Sequence, residues 1–216
     1  MIVIKNKISK EEINEMPKVE YQGQSFVIDT PQQADNAVKY LSQFPLLGID
    51  SETRPSFKKG SNHKVALLQI ATDDRCYLFR LCKFGMTLSL IRLLENPSIT
   101  KVGLSLKDDF LMLHQRAPFE PHSIIELQEY VRVFGIKDMS LQKIYANLFG
   151  AKISKAQQLS NWEADTLTIP QREYASIDAW ACLKIYRLLE ELRETGDFEI
   201  QTVEEPIEET INIQDE

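Results

Sequence analysis

The stretch EYASIDAWACLKIY, residues 173 to 186, sets the strongest condition on how this chain can fold. Tyr174, Cys182, Ile185 and Leu189 recur at helical spacing, and Asp178 falls into the same row, four residues after Tyr174 and four before Cys182. The row that such a helix buries therefore contains a carboxylate. An ionised carboxylate removed from water without a partner is costly enough that such groups are normally paired, protonated or bound to a metal. The rest of the chain must bring a partner to Asp178.

The element order shows where that partner can come from. VEYQGQSFVID reads as a hairpin around Gln22-Gly23, and Thr30-Pro31 opens the helix PQQADNAVKYLSQF as N-cap and first helical residue. A strand LLGIDSE (46 to 52) follows, then KVALLQIAT and CYLFRL joined by the turn TDDR, an antiparallel meander. LSLIRLLEN is a short helix, TKVGLS (100 to 105) a buried strand, and LKDDFLMLHQR the helix it feeds. From about residue 123 the pattern turns wholly helical, with IIELQEYVRVFG and SLQKIYANLFG each ending at a glycine. A polar loop then runs to Pro170, which starts the last helix. Strands in the first half with helices inserted, then helices alone, indicate an α/β fold with a mixed central β-sheet flanked by helices.

Asp50 and Glu52 lie two apart in LLGIDSE, so both carboxylates point to one side of the sheet. Like charges at the end of a buried strand repel, and burial worsens the repulsion. A third carboxylate is available at Asp108 or Asp109, in the first turn of the helix after TKVGLS, where the helix dipole favours an anion; either is by itself an ordinary dipole or capping residue. With Asp178 these make four oxygen donors without histidine or cysteine, a set suited to Mg²⁺ or Mn²⁺ rather than zinc. Two such ions about 3.5 to 4 Å apart serve phosphodiester hydrolysis by activating water and stabilising the leaving oxygen. Tyr174, one turn before Asp178, projects beside the same place, where its hydroxyl could orient a water or simply pack in the core.

Charge does not oppose a polyanionic partner. The net −7 is concentrated in the run from Asp197, which has eight acidic residues and no lysine or arginine; the preceding residues carry 24 acidic against 25 basic. Residues 1–196 are therefore expected to form a single domain and 197–216 a solvated or loosely docked acidic tail. Cys76, Cys82 and Cys182 form no CxxC pair, which suits reduced thiols in an intracellular protein. The start MIVIKNKISKEE has too short an apolar run for a signal peptide, and no stretch reaches the roughly 18 apolar residues of a membrane span. The expectation is a soluble, cytoplasmic protein.

Taken together, GIDSE, KVGLSLKDDF and YASIDAW resemble the three motifs of the DEDD superfamily of 3′-5′ exonucleases, in the subgroup with a tyrosine in the third motif. SNWEADTLTIPQREYASIDAW is similar to its Werner and ribonuclease D branch, and VALLQIAT followed by CYLF matches the strands after the first motif. The resemblance covers about residues 40 to 190. It implies a ribonuclease H-like fold and metal-dependent removal of nucleotides from a 3′ end. By position it makes Asp50 and Glu52 the first-motif metal ligands, Asp109 the second-motif ligand, because the family's aspartate lies six residues after the glycine that here is Gly103, and Tyr174 and Asp178 the third motif. It further implies one divalent metal ion held by Asp50, Glu52 and Asp178, with Tyr174 orienting its water, and another held by Asp50 and reached by Asp109 through water.

For substrate, Arg54, Lys58, Lys59, Lys152 and Lys155 are candidate phosphate contacts, and Trp162 a candidate base-stacking residue, each weighed against a plain surface or core role. His63, His114 and His122 are not clustered and are given no chemistry. The expected partners are nucleic acid 3′ ends, DNA first, because the likeness near SNWE leans to the Werner type and only the acidic tail follows the last helix where ribonuclease D usually carries a further helical domain. An RNA-trimming enzyme is the alternative, and a non-catalytic binding module, which loss of a ligand would mark, is the other. No protein partner is indicated.

Overall fold

The computed structural model describes residues 1–56 and 63–204; Lys58, Lys59 and the acidic run from residue 205 lie outside the described residues. In chain order the elements are β1 (Ile2–Lys5), α1 (Lys10–Glu15), β2 (Gln24–Ile28), α2 (Pro31–Leu41), β3 (Leu46–Glu52), β4 (Leu67–Ala71), β5 (Arg75–Phe79), α3 (Leu81–Phe84), α4 (Leu88–Glu95), β6 (Thr100–Gly103), α5 (Leu106–Leu113), β7 (Ile124–Glu126), α6 (Leu127–Tyr130), a 3-10 turn (Val131–Phe134), α7 (Leu141–Phe149), α8 (Ile169–Thr195) and β8 (Phe198–Gln201). Six strands form one sheet in the order β2-β5-β4-β3-β6-β7. β4 runs antiparallel to β3 and β5, while the β2–β5, β3–β6 and β6–β7 pairs are parallel. The mixed sheet flanked by helices is the α/β architecture that the pattern indicates.

Local chemistry starts and stops these elements where the sequence says. Thr30 accepts from the Gln33 amide at 3.3 Å with Pro31 at the first helical position, and Thr168 does the same with Gln171 at 3.3 Å ahead of α8. One face of the sheet buries Leu47, Ile49, Leu68 and Ile70 against α2, α4 and α5. The other face takes α8, whose buried row includes Ala175, Ala179, Cys182 and Ile185. That contact is unusually close. A Cβ on Gly48 would lie 2.1 Å from the Ala179 carbonyl oxygen, so only glycine lets α8 cross β3 here. Gly103 has the same function at the end of β6, where a Cβ would come within 2.6 Å of the Ile49 carbonyl oxygen.

Three expectations are corrected. The segment before Gly23 is not the first arm of a hairpin: Lys18 forms an isolated parallel bridge with Lys152, Tyr21 packs edge-on against Trp180 at 5.9 Å, and β2 pairs instead with β5. Packing the half-buried Tyr21 on Trp180 of α8 takes that segment away from β2. The chain after residue 123 is not wholly helical, because 124 to 126 adds β7 beside β6; three half-buried residues are too few to display a strand period. The acidic tail does not begin as a loose extension, since β8 pairs in parallel with β1 and Phe198 packs on Phe134 at 5.5 Å. Among the described residues no helix is long and apolar enough to cross a membrane.

Candidate active site

β3 and β6 are parallel, so the C-terminal end of β3 and the start of α5 lie at the same end of the sheet. Asp50 and Glu52 alternate with Ser51 along β3 and face the helix α8, which carries Asp178. Asp50, Glu52 and Asp178 can each offer a carboxylate oxygen such that all lie within 4.8 Å of one another, and Asp178 is buried. Among the described residues, none of the ion pairs supplies these three with a lysine or arginine.

The titration of the cluster reflects that lack of a cation. Burial pushes the Asp50 carboxyl well above the usual range, with the charges of Asp178, Asp109 and Glu52 adding to it. Burial, then Asp178 and Asp109, raise Glu52 to about 9. Burial raises Asp178 to about 7 even though a hydrogen bond from Tyr174 works in the other direction. The Tyr174 hydroxyl is pushed well above its ordinary value, by burial first and then by Asp178 and Glu52, so it remains a proton donor. Three oxygen ligands that repel one another when ionised fit a hard divalent cation, which would remove the repulsion.

Of the two adjacent aspartates on α5, Asp108 is exposed and Asp109 is turned inward. Asp109 Oδ1 accepts a hydrogen bond from Ser51 Oγ at 2.5 Å, and burial raises its pKa to about 6 while that hydrogen bond lowers it. Asp109 is not within the compact group of three; it stands behind Asp50 and Glu52 through Ser51. Its helix is held by a residue the sequence reading missed. Glu126, at the end of β7, accepts from the Ser105 amide at 2.9 Å and the Leu106 amide at 2.7 Å. Ser105 is left-handed (φ 62°) and does not cap the helix with its own side chain. Nothing around Glu126 in the sequence marks it. Ser51 did carry a signal, because strand alternation turns it from the face of Asp50 and Glu52 toward α5.

The carboxylates line a cavity of about 310 Å³ with Tyr174, Lys155, Gln158, Leu104, Leu141 and Ile153. The remaining substrate candidates divide. Lys155 lines this cavity, and Arg54 is exposed and paired with Glu163 at 3.3 Å. Lys152 turns away, its Nζ donating to the Asn14 carbonyl. Trp162 cannot stack on a base: it is 0% exposed, packed with Leu67, Ala175 and Ala179, its ring 6.0 Å from that of Tyr174. A large indole between loop and helix gains more by filling the core beneath Tyr174 than by facing solvent.

A family described as 3′-5′ exonuclease matches residues 26–194. The bifunctional 3′-5′ exonuclease/ATP-dependent helicase WRN of Mus musculus is 31% identical over 172 residues, covering 76% of this chain and 12% of the relative. Ribonuclease D of Gluconacetobacter diazotrophicus is 27% identical over 167 residues, covering 76% of this chain and 42% of the relative. The chain thus spans less than half the length of either. The crystal structure of the Aedes aegypti Nibbler EXO domain superposes with a TM-score of 0.74 at 20% identity, covering 86% of this chain and 95% of that one, a likeness of fold.

Proposed function

This chain belongs to the 3′-5′ exonuclease family, and on that premise we propose that it removes nucleotides from the 3′ end of DNA, with Asp50, Glu52, Asp109, Tyr174 and Asp178 as its reacting groups. The observation that carries the reading is the three-carboxylate cluster within 4.8 Å lining a cavity, composed of oxygen donors alone. Asp50, Glu52 and Asp178 would hold divalent ions, two in number and Mg²⁺ or Mn²⁺ by donor type, with Asp109 contributing from behind Ser51. Bound there, such ions supply a lowered water pKa and charge stabilisation at the departing oxygen.

The chain's own groups do the rest. The Tyr174 hydroxyl, held protonated beside Asp178, orients the attacking water. Water oxygen bonds to phosphorus as the bond from phosphorus to the 3′ oxygen breaks, releasing a 5′-mononucleotide and leaving a 3′-hydroxyl on the shortened strand. Ser51 keeps the Asp109 carboxylate aimed at the cluster and favours its ionised form. Lys155, exposed at the rim of the cavity, is positioned to meet a backbone phosphate, and Arg54 would do so on leaving Glu163. The free thiols Cys76, Cys82 and Cys182 support an intracellular, reducing setting.

RNA is the second reading, supported by the ribonuclease D relative. Matched 3′-labelled and 5′-labelled DNA and RNA strands, incubated with Mg²⁺, Mn²⁺ or EDTA beside Asp178→Asn, test both. A ladder shortening from the 3′ end, dependent on metal and absent in the variant, is expected, fastest on DNA. Equal inactivity on every strand with binding retained would replace the enzyme by a binding module.

A further inference from the structure

A second cavity, of about 520 Å³, lies at the same end of the sheet as the carboxylates. Its position follows from strand direction. β4 is antiparallel to β3 and β5, so Lys64, which precedes β4, and Arg80, which follows β5, both fall at the end where β3 delivers Asp50 and Glu52. Neighbouring strands are about 4.8 Å apart, which sets this cavity roughly 5–10 Å to one side of the cluster. Glu163, in the lining of this second cavity, accepts from Arg54, two residues after Glu52, at 3.3 Å and faces His63 Nδ1 at 3.4 Å.

The lining is cationic in a particular way. Lys64, Arg80, Lys83 and Arg116 stand against Glu163 and Asp165, and Glu163 is already engaged. Arg80 is 1% exposed; its guanidinium donates to the carbonyls of Ala164 and Asp165, lies 3.9 Å from Asp29, and has a buried Nε with no hydrogen-bond partner. Arg116 Nε donates to the Val65 carbonyl at 2.5 Å. Carbonyl partners orient a guanidinium without neutralising it. Among the described residues, neither Arg116 nor Lys64 is in an ion pair. Lys83 is 3.4 Å from Asp29 and 3.9 Å from an Asp165 carboxylate in open solvent. Fixed forks and a free ammonium around one opening are what a phosphate requires.

We propose that this cavity is a phosphate site that takes a backbone phosphate of the strand whose 3′ end lies at the carboxylates, a role that rests on the exonuclease reading. The strand then spans two anchored points, one at the reacting bond and one nucleotides upstream. Affinity gains with strand length until the upstream phosphate reaches the cavity and levels off beyond.

Fluorescence anisotropy of the full chain in EDTA, with labelled single strands of two to eight nucleotides, reads this without hydrolysis. Wild type is expected to gain about tenfold in affinity with length, and Lys64→Gln/Lys83→Gln to lose that gain while the slope of log affinity against log salt falls by about 0.7 per lost contact. Each single substitution, read separately, keeps the test open should the pair fail to fold. Unchanged length gain and salt slope in the variants overturn the proposal. Binding of inorganic phosphate or a mononucleotide that the variants lose, without any length gain in wild type, assigns a free-anion site and overturns the strand assignment. A length gain lost in the variants of a chain that hydrolyses nothing would support the cavity and remove the exonuclease reading; hydrolysis with unaltered length gain would do the reverse.

Discussion

The Glu126 carboxylate spans the amides of Ser105 and Leu106, at 2.9 and 2.7 Å, and so fixes the helix that carries Asp109 to Ser51. Both bonds are charge-assisted and close the open N-terminus of α5. Glu126→Ala leaves three part-buried donors unmet, the Gln128 amide at 3.1 Å among them, and is expected to lower stability by about 2 kcal/mol, or about 4–8 °C in melting temperature. Hydrolysis should fall about tenfold with Mg²⁺ affinity weakened, because Asp109 loses its support. Thermal melts and metal titration of activity check this; a variant with native stability and native metal dependence would show that Asp109 is positioned without it.

Asp178→Asn removes a charge from a site where charges repel, so its two effects should have opposite sign. Hydrolysis is expected to drop by about 10³-fold or more, while the melting temperature in EDTA rises by about 2–4 °C, the equivalent of about 1 kcal/mol. The rise on adding Mn²⁺, expected in wild type, should vanish. A lower melting temperature in EDTA would mean that Asp178 is engaged by a cation of the protein itself.

The pH dependence of stability follows from the same repulsion. Asp109 at about 6, Asp178 at about 7 and Glu52 at about 9 all hold protons more tightly folded than at their ordinary values of 3.8 and 4.5. Between about pH 4 and 9 the folded chain therefore binds more protons than the unfolded one, and stability falls as pH rises through that window. Melts in EDTA should be highest near the acid end and decline toward pH 9, whereas saturating Mn²⁺ should flatten the decline. A melting temperature that climbs with pH in EDTA would contradict the buried, unpaired state of these carboxylates.

Tyr174→Phe separates orientation from binding. The ring still packs against Trp162 at 6.0 Å, so the fold and the metal affinity should stay close to wild type. Only the hydroxyl is lost, and kcat is expected to fall about 10²-fold. Parallel measurement of kcat, Mn²⁺ affinity and melting temperature distinguishes this from a packing role, which would move the last of these most.

Gly48→Ala tests the crossing of α8 over β3. Its Cβ would stand 2.1 Å from the Ala179 carbonyl oxygen, and backbone on both sides leaves little room to yield. A loss of about 3 kcal/mol, roughly 6–12 °C, is expected. A small loss accompanied by collapse of hydrolysis would show that α8 shifts and carries Asp178 out of reach of Asp50.

What the sequence by itself determined is what strand and helix periods can state. Alternation along LLGIDSE puts Asp50 and Glu52 on one face, and the spacing of Tyr174, Asp178 and Cys182 puts a carboxylate in the buried row of α8. Those periods are local, and they hold whatever the rest of the chain does. Only the tertiary structure decided the relations between distant segments. It turned Asp109 rather than Asp108 toward Ser51, brought Glu126 to the start of α5, closed β8 onto β1, and buried Trp162 beneath Tyr174. Each depends on which side chain loses least when two surfaces far apart in the chain meet, and no period within either segment records that competition.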